Sequence, residues 1–352
     1  MLKEGIAIML AARIHGHGGN EVLRLDELPI PKRNEGEVLI RMKAGGLNRV
    51  DLYMRNSGAG ITHRLPITLG LDGAGVIEEA DASSPFKAGD AVVIYPGQPC
   101  GICEFCKKGE EVLCTRGRIF GEQVDGVFAE YVAAPVGSVV AKPASLDFVE
   151  AASLSVAWLT AWRMIATKAR LKAGETVLIF GIGGSVSLAA TQIAKAVGAR
   201  TIVTSRDANK LERAKGFGAD ETALDEGGSS ILNRVMELTG KRGVDVVIEN
   251  VGKAVWPQAM RSLVRGGRLV TCGATTGGDP AADLQRLFIR QLSVLGSTLG
   301  NRSEMLDMVD FIEERRLKPH IDQIFPLAEV AQGLDRLESG KQFGKIGLRI
   351  GA

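Results

Sequence analysis

No sign of charge dominates this 352-residue chain: 43 lysines and arginines face 41 aspartates and glutamates, a formal net charge of +2. Without a basic field to draw in polyanions, nucleic acid and anionic membrane are set aside as partners. Long apolar runs are also lacking. The stretch Ile6 to Ala12 is too short to span a bilayer, and Glu4 does not suit the basic opening of a signal peptide. A cytoplasmic protein is expected, with its start open between Met1 and Met9. Histidine is rare, and His15, His17, His63 and His320 are scattered. Cysteine is scarce too, with five in all, yet four of them crowd into CGICEFCKKGEEVLC, residues 100–114.

Cytosolic thiols stay reduced, so such a cluster reads as a metal site rather than as two disulfides. Cys100, Cys103, Cys106 and Cys114 have the number and spacing to close a tetrahedron around one zinc ion. Four protein ligands leave no open position for water or substrate, so this zinc is structural. The fifth cysteine, Cys272, reads as a small strand residue with no base beside it.

The length favours two domains. Residues 1–152 alternate short strands and turns, among them EVLIRMKA (37–44), GLDGAGVIEEA (70–80), AGDAVVIYPG (88–97) and DGVFAEYVAAP (125–135). Residues 153–317 alternate apolar strands with helices closed by glycine: TVLIF (176–180), TIVTS (201–205), DVVIEN (245–250), RLVTC (268–272) and LSVLGS (292–297). That rhythm predicts βαβ units and a parallel sheet. The tail, 318–352, with HIDQIFPL and KIGLRIG, returns to strand-like composition and is expected to rejoin the first domain. The fold class is α/β.

GIGGSV, residues 181–186, follows a strand and opens a helix. Gly181 permits the tight turn, Gly183 lets the backbone approach a pyrophosphate, and Gly184 and Ser185 begin the helix whose N-terminus attracts anions. Val186 stands where a third glycine usually packs helix on strand. At the end of the next strand TSRDANK offers Ser205 and Arg206, with Lys210 one turn on. A hydroxyl, a guanidinium and an ammonium suit a 2′-phosphate, which predicts NADP(H), and Asp207 is the residue that opposes this reading.

The segments AGGLNRVDLY (44–53), LPITLGLDGAGVIEE (65–79), GDAVVIYPGQPCGICEFCKKGEEVLC (89–114), DGVFAEYV (125–132), WLTAW (158–162) and GKIGLRI (344–350) together resemble the medium-chain dehydrogenase/reductase superfamily of zinc-type alcohol dehydrogenases along essentially the whole chain. The resemblance implies a GroES-like catalytic domain completed by the tail, a Rossmann domain, and an active site in the cleft between them. Zinc-dependent members hold a second, catalytic zinc on Cys, His and Cys, often with Glu nearby. Here those positions carry Asn48, Leu71 and Val156, with Asp72 in place of the Glu. Two apolar ligands rule out that metal, since such a site needs three protein ligands. An improvised site on His63 and Asp72 is the fallback.

Asn48, Asp51 and Tyr53 with an apolar residue at 71 look like the zinc-independent quinone oxidoreductases and enone reductases. Some enoyl-CoA reductase relatives also keep the four-cysteine lobe. This implies an NADPH-dependent oxidoreductase passing hydride to an activated C=C bond or a quinone, with Asn48 and Tyr53 as donors to the developing enolate oxygen. By the same resemblance Thr160, Asn250, Gly273 and Ser297 face the cofactor. Trp158 and Trp162 serve as cleft wall or core. A zinc-type alcohol or aldehyde dehydrogenase is the main alternative, and a non-catalytic NADPH-binding sensor the second. A small-molecule substrate and a homodimer or homotetramer are expected, with LSVLGS suited to sheet pairing.

Overall fold

A computed structural model describes residues 7–351. Met1 and Glu4, on which the start and the leader reading turn, lie outside the described residues. Two compact units emerge, one running to Val156 and resuming at Asn301, the other spanning Ala157–Gly300. The return to the first unit therefore falls at Asn301 rather than at 318. Helix Arg302–Arg315 belongs with the first unit because its N-terminus is tied to the cysteine lobe: the Val112 N–H donates to Asn301 Oδ1 at 3.0 Å, and the Arg302 N–H to Glu111 Oε1 at 2.5 Å.

In the first unit, strand Glu37–Leu47 is central. Asp72–Glu79 pairs with it on one side; on the other its first half takes Tyr131–Pro135 and its second half takes Lys345–Arg349. The sheet continues through Ala91–Ile94 to Val139–Ala141 at one edge and through Ile321–Pro326 at the other. Its core is built from inward residues such as Ile40, Met42, Leu47, Phe128, Ile346 and Leu348. At ~25 cal/mol per Å² of apolar surface removed from water, such burial drives the assembly of segments far apart in sequence.

The middle of this sheet is short of side chains. Gly45, Gly46, Gly73 and Gly347 sit on facing positions, and a Cβ on Gly46 would come within 2.6 Å of Lys345 Cε. The register also pairs Gly46 with Gly347 on one neighbour and with Asp72 on the other. This brings position 345 beside Asn48 and Asp72, and the glycines leave the space that a long side chain fills.

In the second unit the sheet is six-stranded and parallel throughout, in the order Glu221–Leu224, Arg200–Ser205, Thr176–Ile179, Val244–Glu249, Leu263–Thr271, Ser293–Gly296. Apolar runs buried on both faces form the inner strands, as the sequence predicts. Glu221–Leu224 escapes that pattern, since as an edge strand it keeps polar Glu221 and Thr222 half-exposed. Leu154–Lys168 is one helical stretch in which wide π turns flank Leu159–Trp162. Among the described residues no helix is long and apolar enough to cross a membrane.

Candidate active site and zinc lobe

Residues 97–119 contain no buried residue, and Ile102 and Leu113 are exposed. The lobe's regular pieces are one turn of helix, Glu104–Lys107, a 3-10 turn, Glu111–Leu113, and a two-residue strand pair. So small a segment needs a staple in place of a core. The four sulfurs supply it, lying within 4.8 Å of one another, with Cys103 Sγ 3.4 Å from Cys106 Sγ and 3.8 Å from Cys114 Sγ. A tetrahedron of Zn–S bonds of about 2.3 Å has edges of about 3.8 Å, so the cluster fits one zinc. Backbone N–H groups of Ile102 and Cys103 lower the Cys100 thiol to about 6, whereas burial and the neighbouring sulfurs push Cys106 up to about 12. A cation among the sulfurs offsets the repulsion between neighbouring thiolates. Among the described residues this is the one group of three or more candidate ligands close enough to share a metal.

The fallback metal site on His63 and Asp72 does not assemble. His63 Nδ1 bonds the Ile61 carbonyl at 2.7 Å and its ring meets His17 edge-on, with centroids 5.1 Å apart. Asp72 is instead fully buried in an ion pair with the ammonium of Lys345. Lys345 also donates to Asn48 Oδ1 at 2.6 Å. Leu71 is core, at 1% exposure. The sequence reading missed Lys345, which looks there like an ordinary strand residue.

Asn48 opens helix Arg49–Ser57 through a reciprocal cap in which its N–H donates to Asp51 Oδ2 at 2.7 Å. Asp51 is wholly buried, and burial raises its carboxyl from the ordinary 3.8 to about 7; the Asn48 N–H and Lys345 oppose the shift while Asp72 adds to it. Burial likewise raises Asp72. Protonated Asp51 favours the fold, so its contribution is complete below about pH 4 and is lost as pH climbs to about 7. Asp51→Asn, which keeps the accepting oxygen, is expected to flatten stability against pH in that window. Urea denaturation at pH 5 and pH 8 checks it. Tyr53, further along the helix, is 41% exposed, and the structure gives no contact between it and Asn48.

In the second unit the loop Gly181–Gly184 turns with φ of +71° at Gly181 and +108° at Gly183. A Cβ on Gly183 would lie 2.7 Å from Lys210 Cδ, so Lys210 from the next βα unit runs across this loop. Val186 is half-exposed. The close approach of helix to strand falls to Ser187, fully buried, whose Oγ donates to the Phe180 carbonyl at 2.7 Å, which is why a valine is tolerated at 186. Asp207 caps helix Ala208–Lys215, accepting the Asn209 N–H at 2.9 Å. Ser205 Oγ accepts the Asp207 N–H at 3.0 Å, and Arg206 is exposed.

Asn250 Nδ2 donates to Ser187 Oγ at 2.7 Å, and a Cβ on Gly273 would meet the Asn250 carbonyl at 2.8 Å. Ser297 Oγ is buried without a hydrogen-bond partner among the described residues. These groups follow the carboxyl ends of adjacent strands, the edge where such sheets bind ligands. The glycine cradle and the unspent Ser297 hydroxyl suit a dinucleotide. Thr160 is 6% exposed, and Trp158 is buried. Cys272 is no nucleophile, since burial, then the Glu249 charge, push its thiol up to about 12.

Residues 34–144 match the alcohol dehydrogenase GroES-like domain and residues 185–314 the zinc-binding dehydrogenase domain. An NAD-dependent alcohol dehydrogenase of Saccharolobus solfataricus is 34% identical over 336 residues, 92% of this chain and 95% of that one. A solved structure of an NAD-dependent alcohol dehydrogenase superposes with a TM-score of 0.93 at 40% identity, covering 97% of this chain and all of that one. The crystal structure of AibC superposes with a TM-score of 0.92 at 31% identity, covering 99% and 97%.

Proposed function

This chain belongs to the zinc-type alcohol dehydrogenase-like medium-chain dehydrogenase/reductase superfamily, and we propose that within it the chain is a cytoplasmic NADPH-dependent reductase of quinones or of alkenes conjugated to a carbonyl, working without a catalytic zinc. One observation carries this reading: where zinc-dependent members place metal ligands, this chain has hydrocarbon at Leu71 and a buried ammonium, Lys345, held by Asp72 and Asn48. A fixed cation repels a divalent ion from the same spot. The nicotinamide cofactor, when bound, supplies hydride. Gly181, Gly183, Gly184, Ser185 and the helix N-terminus hold its phosphates, and Asn250, Gly273, Ser297 and Thr160 orient the remainder. Asn48 and Tyr53 bind the acceptor oxygen, where a good donor contributes roughly 3–4 kcal/mol as negative charge develops. Tyr53, open to solvent, passes the proton.

NADPH preference rests on Arg206 and Lys210, and Asp207 does not oppose it because its carboxylate is spent on its own helix. Arg206→Ala is expected to weaken NADPH binding about tenfold or more, the value of a lost charge-assisted bond, and to leave NADH unaffected. Cofactor titration by fluorescence tests it; equal affinity for both cofactors in the parent chain contradicts it.

The names of the relatives favour a second reading, an NAD-dependent alcohol dehydrogenase. Steady-state NADPH oxidation across quinones, enones, enoyl-CoA esters and aldehydes separates the two. Turnover of aldehydes alone supports the second. Binding without turnover of any acceptor leaves a cofactor-binding sensor. A homo-oligomer is proposed through edge strand Ser293–Gly296, where Val294 is exposed, as are Leu284 and Phe288 of the preceding helix.

A further inference from the structure

We propose that Lys345 is a positioning residue for hydride transfer, acting through Asn48. The inference rests on the reading of Asn48 as the group that meets the acceptor oxygen. An ammonium offers three donors and no acceptor, so only the oxygen end of the Asn48 amide can face it. Lys345 Nζ donates to that oxygen at 2.6 Å and pairs with Asp72. The backbone of Asn48 is pinned separately, its N–H donating to Asp51 Oδ2 at 2.7 Å. The amide orientation, otherwise ambiguous by a half-turn, is thereby set: Asn48 presents N–H groups elsewhere. Within the cluster Nδ2 has a long contact to the Gly46 carbonyl, at 3.3 Å.

Burial separates the roles. Asp51 and Asp72 are 0% exposed and Lys345 is 2%, whereas Asn48 is 9% and is the member with most reach to the outside. Lys345 therefore cannot be the direct ligand and acts on the amide that is. With Lys345 absent, the amide is free to turn its oxygen toward a developing enolate, which repels where the N–H attracts.

The test uses three variants of the full chain and whichever acceptor of the quinone, enone, enoyl-CoA and aldehyde panel the parent turns over fastest. Asn48→Ala is expected to lower kcat about a hundredfold, as for loss of one oxyanion donor. Lys345→Met with Asp72→Asn removes both charges together, so the fold keeps its balance; kcat is expected to fall about tenfold or more while NADPH Kd stays within about twofold. Adding Asn48→Ala to that pair is expected to give no further loss beyond Asn48→Ala itself, the signature of residues acting as one unit.

If the charge-removed pair is folded and turns over at the parent rate, the ion pair serves stability alone and the inference is overturned, while the reading of Asn48 stands. If Asn48→Ala turns over normally, or the parent turns over no acceptor, the reading falls and the inference with it. Independent, additive losses also overturn it.

Discussion

Lys345→Met, with Asp72 left in place, is expected to destabilise the first unit by about 3–5 kcal/mol, the cost of removing one partner from a buried ion pair. The reason is local. Asp72 is fully buried, and among the described residues its one ion-pair partner is Lys345, which the glycine-lined space admits. Above about pH 7 Asp51, buried as well, is an anion that Lys345 also stabilises, so there the loss falls on two carboxyls. Asp72→Asn in the same chain is expected to recover most of the loss, because a neutral pair needs no counter-charge. Urea denaturation of the single and double variants decides it. A single variant with the parent's midpoint means that the two charges were never strongly coupled to folding.

Chelation of the lobe zinc is the second large effect. A segment with no buried residue from 97 to 119 has no core of its own to replace its metal, and in small zinc modules the metal contributes about 10–16 kcal/mol to folding. Stripping the metal, or replacing Cys106 with serine, is expected to unfold the lobe while the central sheet, with its own core, survives. The lobe thiols, four after stripping and three in the Cys106 variant, then become reactive to an alkylating probe, and Cys272 stays silent because its thiol is held near 12. Helix Arg302–Arg315 loses its partners Val112 and Glu111 and frays at its N-terminus, visible as faster amide exchange there. Thiols that remain unreactive after the zinc has demonstrably left would show that the lobe stands without it.

How much of this is legible in the sequence depends on the range of the interaction. The cysteine cluster reads directly, because its ligands lie within fifteen residues and sulfur chemistry limits what can hold them. The glycine turn reads because a strand, a turn and a helix are consecutive. Val186 reads as a defect, and only the fold shows that Ser187 takes over the close approach. Asp207 reads as an obstacle to NADPH until its capping bond is seen, although an aspartate ahead of a helix is itself a capping signal.

Lys345 is the clearest omission. It meets Asn48 across 297 positions, through a register set by three strands, and no local pattern encodes that. A signal was nevertheless present: a lysine heading an apolar strand, KIGLRI, in a chain whose central strand carries two consecutive glycines at 45 and 46. Space without side chains invites a long one. Helix 302–315 packs with the first unit although it follows the βαβ rhythm in sequence, since helical periodicity says nothing of the partner a helix packs on.

The central claim is that hydride transfer here needs no metal beside the acceptor, and counting zinc and turnover in one preparation tests it most directly. Elemental analysis is expected to give one zinc per chain, with NADPH oxidation by quinones or enones unchanged when further zinc is added. Two zinc ions per chain, with aldehyde reduction that appears and disappears with the second, would contradict the claim and return the chain to the metal-dependent dehydrogenases.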